Sequence, residues 1–114
     1  VYKSLVVATI LAFATPAFAA DVDTADKLLW ARKTDEVIKF LKDHPNAITE
    51  VEAGMKYTLL HLAGMTGDAK VAAYLVEHGA DINAKDADGY TPLVRAKANR
   101  NQAVVDILVK HGAK

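Results

Sequence analysis

Thr58-Leu59-Leu60-His61, followed by Gly67 and then by Glu77-His78-Gly79-Ala80-Asp81-Ile82-Asn83, is the stretch that decides the fold. Thirty-three positions after Thr58 stands Thr91-Pro92-Leu93, and thirty-three after His78-Gly79-Ala80 stands His111-Gly112-Ala113. Tyr57 and Tyr90 keep the same register, as do Leu75 and Leu108. A fixed period of this length marks a supersecondary unit that cannot bury its apolar face alone and must stack on its neighbours. Within the unit, Leu60, Leu62 and Ala63 share one face of a first helix, and Gly67 permits a reversal. Val71, Tyr74 and Leu75 give a second helix its spacing. Gly79 ends that helix in the left-handed conformation. In the following unit Thr91 caps a helix whose first position is Pro92, where a missing N–H costs nothing.

A period of 33 with a Thr-Pro-Leu-His-like opening resembles the ankyrin repeat, a turn followed by two antiparallel helices. The resemblance covers about residues 25 to 114 and is strongest from Ala53 onward. It implies an all-α fold, an ankyrin-repeat solenoid of about three helix-turn-helix repeats joined by short fingers. The domain is 20–114, with repeats at about 25–52, 53–85 and 86–114. The second finger, Asn83 to Tyr90, follows the family pattern closely. The first repeat is degenerate. Asp23 or Thr24 is expected to cap a helix starting near Ala25. Leu28, Leu29 and Ala31, then Val37, Ile38, Phe40 and Leu41, form two amphipathic runs broken at Lys33-Thr34-Asp35. This reads as a repeat shortened by about two residues between its helices. Pro45 stops the second run. In the first finger, residues 48–56, Ala53 stands where the family's turn aspartate sits and Lys56 where its glycine sits, so an irregular finger is expected. In the third repeat Lys97 and Arg100 replace an alanine and a glycine, as a polar outer face would require of a terminal unit.

Residues 1–19 read as a secretory leader. Lys3 supplies the positive region, Leu5 to Phe13 the apolar run, and Pro16 precedes Ala17-Phe18-Ala19, an Ala-x-Ala cleavage motif that leaves Ala20 first. The alternative is an uncleaved anchor. Spanning needs about 20 apolar residues and this run is about half as long, so a cleaved leader and a periplasmic destination are the expectation. No membrane association is expected after cleavage.

Composition narrows the chemistry. Lys+Arg 14 against Asp+Glu 14 leaves no basic footprint for nucleic acid. There is no cysteine and the only serine is Ser4, so a serine or cysteine hydrolase is excluded. His78 and His111 are repeat-equivalent, with His44 at the same end of the first unit. Neighbouring packed helices lie about 8–10 Å apart, whereas zinc needs each nitrogen at about 2.0–2.1 Å, so they are read as helix C-terminal residues rather than metal ligands. His61 matches the family's helix-start histidine, which the resemblance implies is locally hydrogen-bonded. Asp86 and Asp88 could pass for a carboxylate pair, but the first is expected to bond the backbone of its turn. No catalytic residue, metal or cofactor is assigned.

The resemblance implies recognition of a protein through the finger tips and the concave face of the first helices. Carried over residue by residue, those positions are Gly54, Met55, Tyr57, Met65 and Thr66, then Ala87, Asp88, Tyr90, Ala98 and Asn99, with Lys85 preceding. Tyrosine and methionine are enriched at interfaces, although each tyrosine could instead pack between fingers. Trp30 is either the plug of the first repeat or a hot-spot anchor. The expected role is that of an inhibitor or immunity-type protein, monomeric when free, that binds an exported enzyme, with a cell-wall hydrolase the leading target. The alternative is an accessory or protective factor of a periplasmic catalase or peroxidase.

Overall fold

The computed structural model describes the backbone of residues 14–114 and the side chains from residue 21 onward. Its helices are α1 (Ala14–Trp30), α2 (Thr34–Asp43), α3 (Leu59–Thr66), α4 (Ala69–Glu77), α5 (Pro92–Ala98) and α6 (Gln102–Lys110). A 3₁₀ turn at Pro45–Ile48 follows α2. Helices α1, α3 and α5 pack side by side as an inner layer, α2, α4 and α6 as an outer one, and each pair closes an antiparallel unit. This is the expected helix-turn-helix stack, and no strand occurs among the described residues. No described helix is long and apolar enough to cross a membrane.

The middle unit is the keystone because α3 has neighbours on both sides. Leu59, Leu60, His61, Leu62, Ala63, Gly64 and Thr66 are all buried. A helix that is apolar all round is stable only when it is covered all round. Close approach on one side needs Gly64: a Cβ there would lie 3.1 Å from the Pro92 carbonyl oxygen and 3.3 Å from Ala96. The carbonyls that end α3 have no partner within their own helix, and neighbouring units supply the donors. Asn101 Nδ2 donates to the Gly64 and Met65 carbonyls (2.6 and 3.2 Å), and Arg32 Nη1 donates to the Thr66 carbonyl at 2.8 Å. Asp68 caps α4 by accepting from the Val71 N–H, and its other oxygen accepts from the Thr34 hydroxyl at 2.6 Å.

The first unit corrects three expectations. Helix α1 starts at Ala14, not near Ala25, so neither Asp23 nor Thr24 caps it. Val22, Ala25 and Leu29 recur on one face and are buried, and that continuous burial carries the helix through both cap-competent residues. Pro16 falls in the first turn of α1, where an N–H is not needed. The break between the helices lies at residues 31–33, and Thr34 opens α2. That connection is not shortened: residues 67–68 and 99–101 join the helices of the other two units. The irregularity lies in α2, which has 10 residues against 9 in α4 and α6. The expected leader's apolar run, Leu5 to Phe13, lies outside the described residues.

Each unit reverses through a left-handed residue: Arg32 (φ 63°), Gly67 (φ 81°) and Arg100 (φ 59°). These three give a common register for the inner helices. Five residues before them stand Lys27, Leu62 and Arg95, and two before them stand Trp30, Met65 and Ala98.

Candidate functional site

The finger between α4 and α5 is built on one buried carboxylate. Asp86 Oδ1 accepts from the Asp88 and Tyr90 N–H groups at 3.0 and 3.1 Å, as expected of the turn aspartate. Its Oδ2 accepts from Arg95 Nε at 2.7 Å, and Arg95 Nη2 donates to Asp88 Oδ2 at 3.0 Å. Gly89 takes the left-handed position (φ 82°). Burial pushes the Asp86 carboxyl up, but the Arg95 guanidinium and the two amides outweigh it and hold the group below the usual aspartate value. The Arg95 guanidinium carbon also lies 4.9 Å from the Tyr90 ring centroid and 5.4 Å from that of Tyr57, within cation–π range of both.

The finger before α3 reaches the same shape by another route. Here Glu52, not the residue at position 53, supplies the turn carboxylate. Its Oε2 accepts from the Gly54 N–H at 3.0 Å, and Oε1 makes a long contact of 3.5 Å with the Tyr57 N–H. The turn closes between Glu52 N–H and the Tyr57 carbonyl (2.9 Å), where the other closes between Asp86 N–H and the Tyr90 carbonyl (3.0 Å). The first finger is thus one residue longer, and the extra methylene of glutamate spans the added length. Lys56 occupies the left-handed position at φ 60°. The expected irregularity is therefore this one-residue extension. A bond from the Ala87 N–H to the Met55 carbonyl (2.8 Å) joins the two fingers.

His61 couples helix and finger. Its Nδ1 accepts from the Thr58 N–H at 3.2 Å, its own N–H reaches the Thr58 hydroxyl, and Nε2–H donates to the Tyr90 carbonyl at 2.8 Å. That pattern requires the neutral Nε2–H tautomer. Complete burial disfavours the imidazolium and lowers the His61 pKa, while the Tyr90 carbonyl and Asp86 pull the other way. The remaining histidines serve helix ends. His78 and His111 each turn Nδ1 to the carbonyl four residues back, at 2.8 and 2.9 Å. His44 stacks on Phe40 as His78 does on Tyr74, with centroids 4.3 and 3.9 Å apart.

Most of the residues singled out for binding fall on the finger-side face. Met55, Lys85, Asp88, Tyr90, Ala98 and Asn99 are exposed, as are Gly54 and Ala87. Trp30 is 53% exposed, so it is no plug; the buried Leu29 beside it packs into the core. Tyr57 and Met65 are half-buried against the core. Thr66 departs from the set: at 4% exposure, with its hydroxyl turned to the Ala63 carbonyl, it offers no contact surface. Arg95 was not among the residues inferred from sequence, although it holds the finger and both tyrosines together. Its signal was the repeat register, five residues before Arg100, on the face that carries Lys27 and Leu62.

A family profile described as ankyrin repeats, in 3 copies, matches residues 18–114. The chain belongs to the ankyrin-repeat family. It is similar to the serine/threonine-protein kinase VIK of Arabidopsis thaliana, 35% identical over 96 residues, which are 82% of this chain and 22% of that protein. It also resembles Rabankyrin-5 of Homo sapiens (46% identical over 66 residues; 58% of this chain, 6% of that protein). The same holds for the human transient receptor potential cation channel subfamily A member 1 (36% identical over 66 residues; 58% and 6%). The matched region thus spans less than a quarter of each of these relatives. Ankyrin repeats are protein–protein interaction modules, typically without catalysis of their own, and this chain is one of them.

Proposed function

We propose that this ankyrin stack acts by binding an exported enzyme in the periplasm as an inhibitor or immunity-type protein, with a cell-wall hydrolase as the leading target class. The observation that carries the binding role is the finger-side face. Trp30, Met55 and Tyr90 are exposed there on a frame held by Asp86, Arg95 and the Ala87–Met55 bond. Exposed aromatic side chains on a preorganised frame lose little entropy on binding. Support for the compartment comes from sequence alone, in Lys3, the apolar run and Ala17-Phe18-Ala19. Inhibition is the proposed mode because a small stack acting through contact can occlude an active site.

The test is to express the full chain with its leader, capture its partner from periplasmic extract and assay the retained enzyme with and without the chain. The expected result is a stoichiometric hydrolase that loses activity, and a Tyr57→Ala, Tyr90→Ala double variant that retains none of it. An enzyme whose activity is unchanged or raised would contradict inhibition, and a catalase or peroxidase behaving so would establish the accessory role instead.

A further inference from the structure

Charge on the finger side is distributed unevenly between what is spent and what is free. Three of the acids there are occupied within the stack. Glu52 is bonded to the backbone of its own finger, and Asp86 and Asp88 are bonded to Arg95. Asp26, half-buried on α1, has its Oδ1 buried without a hydrogen-bond partner. The lysines are not so engaged. Lys27, Lys56 and Lys85 are exposed and, among the described residues, none is within salt-bridge distance of a carboxylate. Elsewhere Lys33 and Lys70 are paired with Glu36 and Asp35, while Lys39, Lys42 and Lys110 on the outer helices have no carboxylate within salt-bridge distance among the described residues. Asp23, exposed on α1, and the half-buried Asp26 are the acids on this side with no such bond.

Arg95 adds a directional element. Asp86 and Asp88 hold its Nε and one Nη2 N–H, while two tyrosine rings lie against the guanidinium. The Nη1 donors have no acceptor among the described residues, and Arg95 keeps 18% side-chain exposure. A guanidinium fixed on one edge presents its remaining N–H groups at little entropic cost, in the geometry that matches a carboxylate. Trp30, in the neighbouring column of the inner layer, supplies an apolar surface.

We infer that the finger-side face takes an acidic segment of its protein partner, with carboxylates meeting Lys56, Lys85, Lys27 and the open edge of Arg95, and an apolar side chain seated against Trp30 and Tyr90. This rests on the reading of that face as the binding surface, and names the chemistry of what it binds.

The test selects a phage-displayed random dodecapeptide library on the immobilised full chain, then discards clones that still bind the Tyr57→Ala, Tyr90→Ala variant. The remaining winners should be enriched in Asp and Glu beside Trp, Phe or Leu. A synthetic winner, titrated calorimetrically, should bind several-fold more weakly in 0.5 M than in 0.05 M NaCl. Each of Lys27→Glu, Lys56→Glu and Lys85→Glu should weaken it by up to about fivefold, as expected of exposed ion pairs. Winners rich in Lys and Arg, or an affinity indifferent to all three reversals, would overturn the acidic partner while leaving the face intact. Winners that all ignore the tyrosine substitutions would overturn the face itself, and the inference with it.

Discussion

The two fingers make the same turn with different chemistry. Asp86 sits 5% exposed and gathers two backbone amides and a guanidinium. Glu52, less buried, gathers one good amide bond and one long contact in a turn one residue longer. Gly89 takes the left-handed position in the one and Lys56 in the other. What the turn requires is a carboxylate with the right reach and a residue that accepts positive φ. The more buried version is also bound to the helix after it, through Arg95, and to α3 of the preceding unit, through His61. The second finger is therefore part of the frame, and the first is attached to it.

That difference is broken most severely at the carboxylates. Asp86→Ala leaves two amides and part of Arg95 unsatisfied at a buried site and should cost about 2–3 kcal/mol. Glu52→Ala should cost less than about 1 kcal/mol, because its bonds are near solvent. Urea unfolding midpoints of the two variants measure the gap. Equal losses would mean that the fingers contribute alike.

His61 sharpens the comparison through pH. Its folded pKa lies below its unfolded value, so as pH falls below about 6.5 the unfolded chain takes up a proton that the folded one resists. Stability from this group is complete above that pH and is lost as pH falls towards the folded value. The slope approaches about 1.4 kcal/mol per pH unit. His61→Val, which installs the residue found at the equivalent Val94, should remove that contribution when the two proteins are unfolded side by side between pH 7 and 5. An unchanged slope would show that His61 is not buried neutral.

The smallest effects belong to the left-handed positions. A non-glycine residue there costs on the order of 1 kcal/mol. Lys56→Gly should raise stability by up to about 1 kcal/mol and Gly89→Ala should lower it by about as much. Opposite signs in thermal denaturation would support one shared turn geometry.

The stack was legible in the sequence wherever a local signal coincided with a structural need. Thr58, Thr91 and Pro92 begin helices, and Gly67, Gly79 and Gly112 take positive φ. It was not legible where tertiary burial overrode local preference. Asp23 and Thr24 favour a cap, but the buried face of Val22, Ala25 and Leu29 extends α1 through them. Lys56 and Arg100 adopt left-handed angles that local preference assigns to glycine. The register of the first unit was obscured by the single extra residue in α2. On the finger-side face, Met55 and Tyr90 from the repeat pattern are exposed, and Trp30 is exposed rather than a plug. Arg95 escaped because its role is set by folding, which brings Asp86 and Asp88 of its finger and Tyr57 of the previous unit against it. Thr66 was misplaced because its side chain is buried, its hydroxyl turned to the Ala63 carbonyl, which the repeat pattern alone does not show.

The most direct test of the central claim compares the two faces of the stack. The retained partner would be titrated against Tyr57→Ala, Tyr90→Ala and, as a control on the outer layer, against Tyr74→Ala, with circular dichroism confirming helicity in each. A loss of affinity on the order of a hundredfold or more is expected for the finger-side double variant, as for paired aromatic anchors, and no change for Tyr74→Ala. Loss on the outer face with binding intact at the fingers would contradict the central claim.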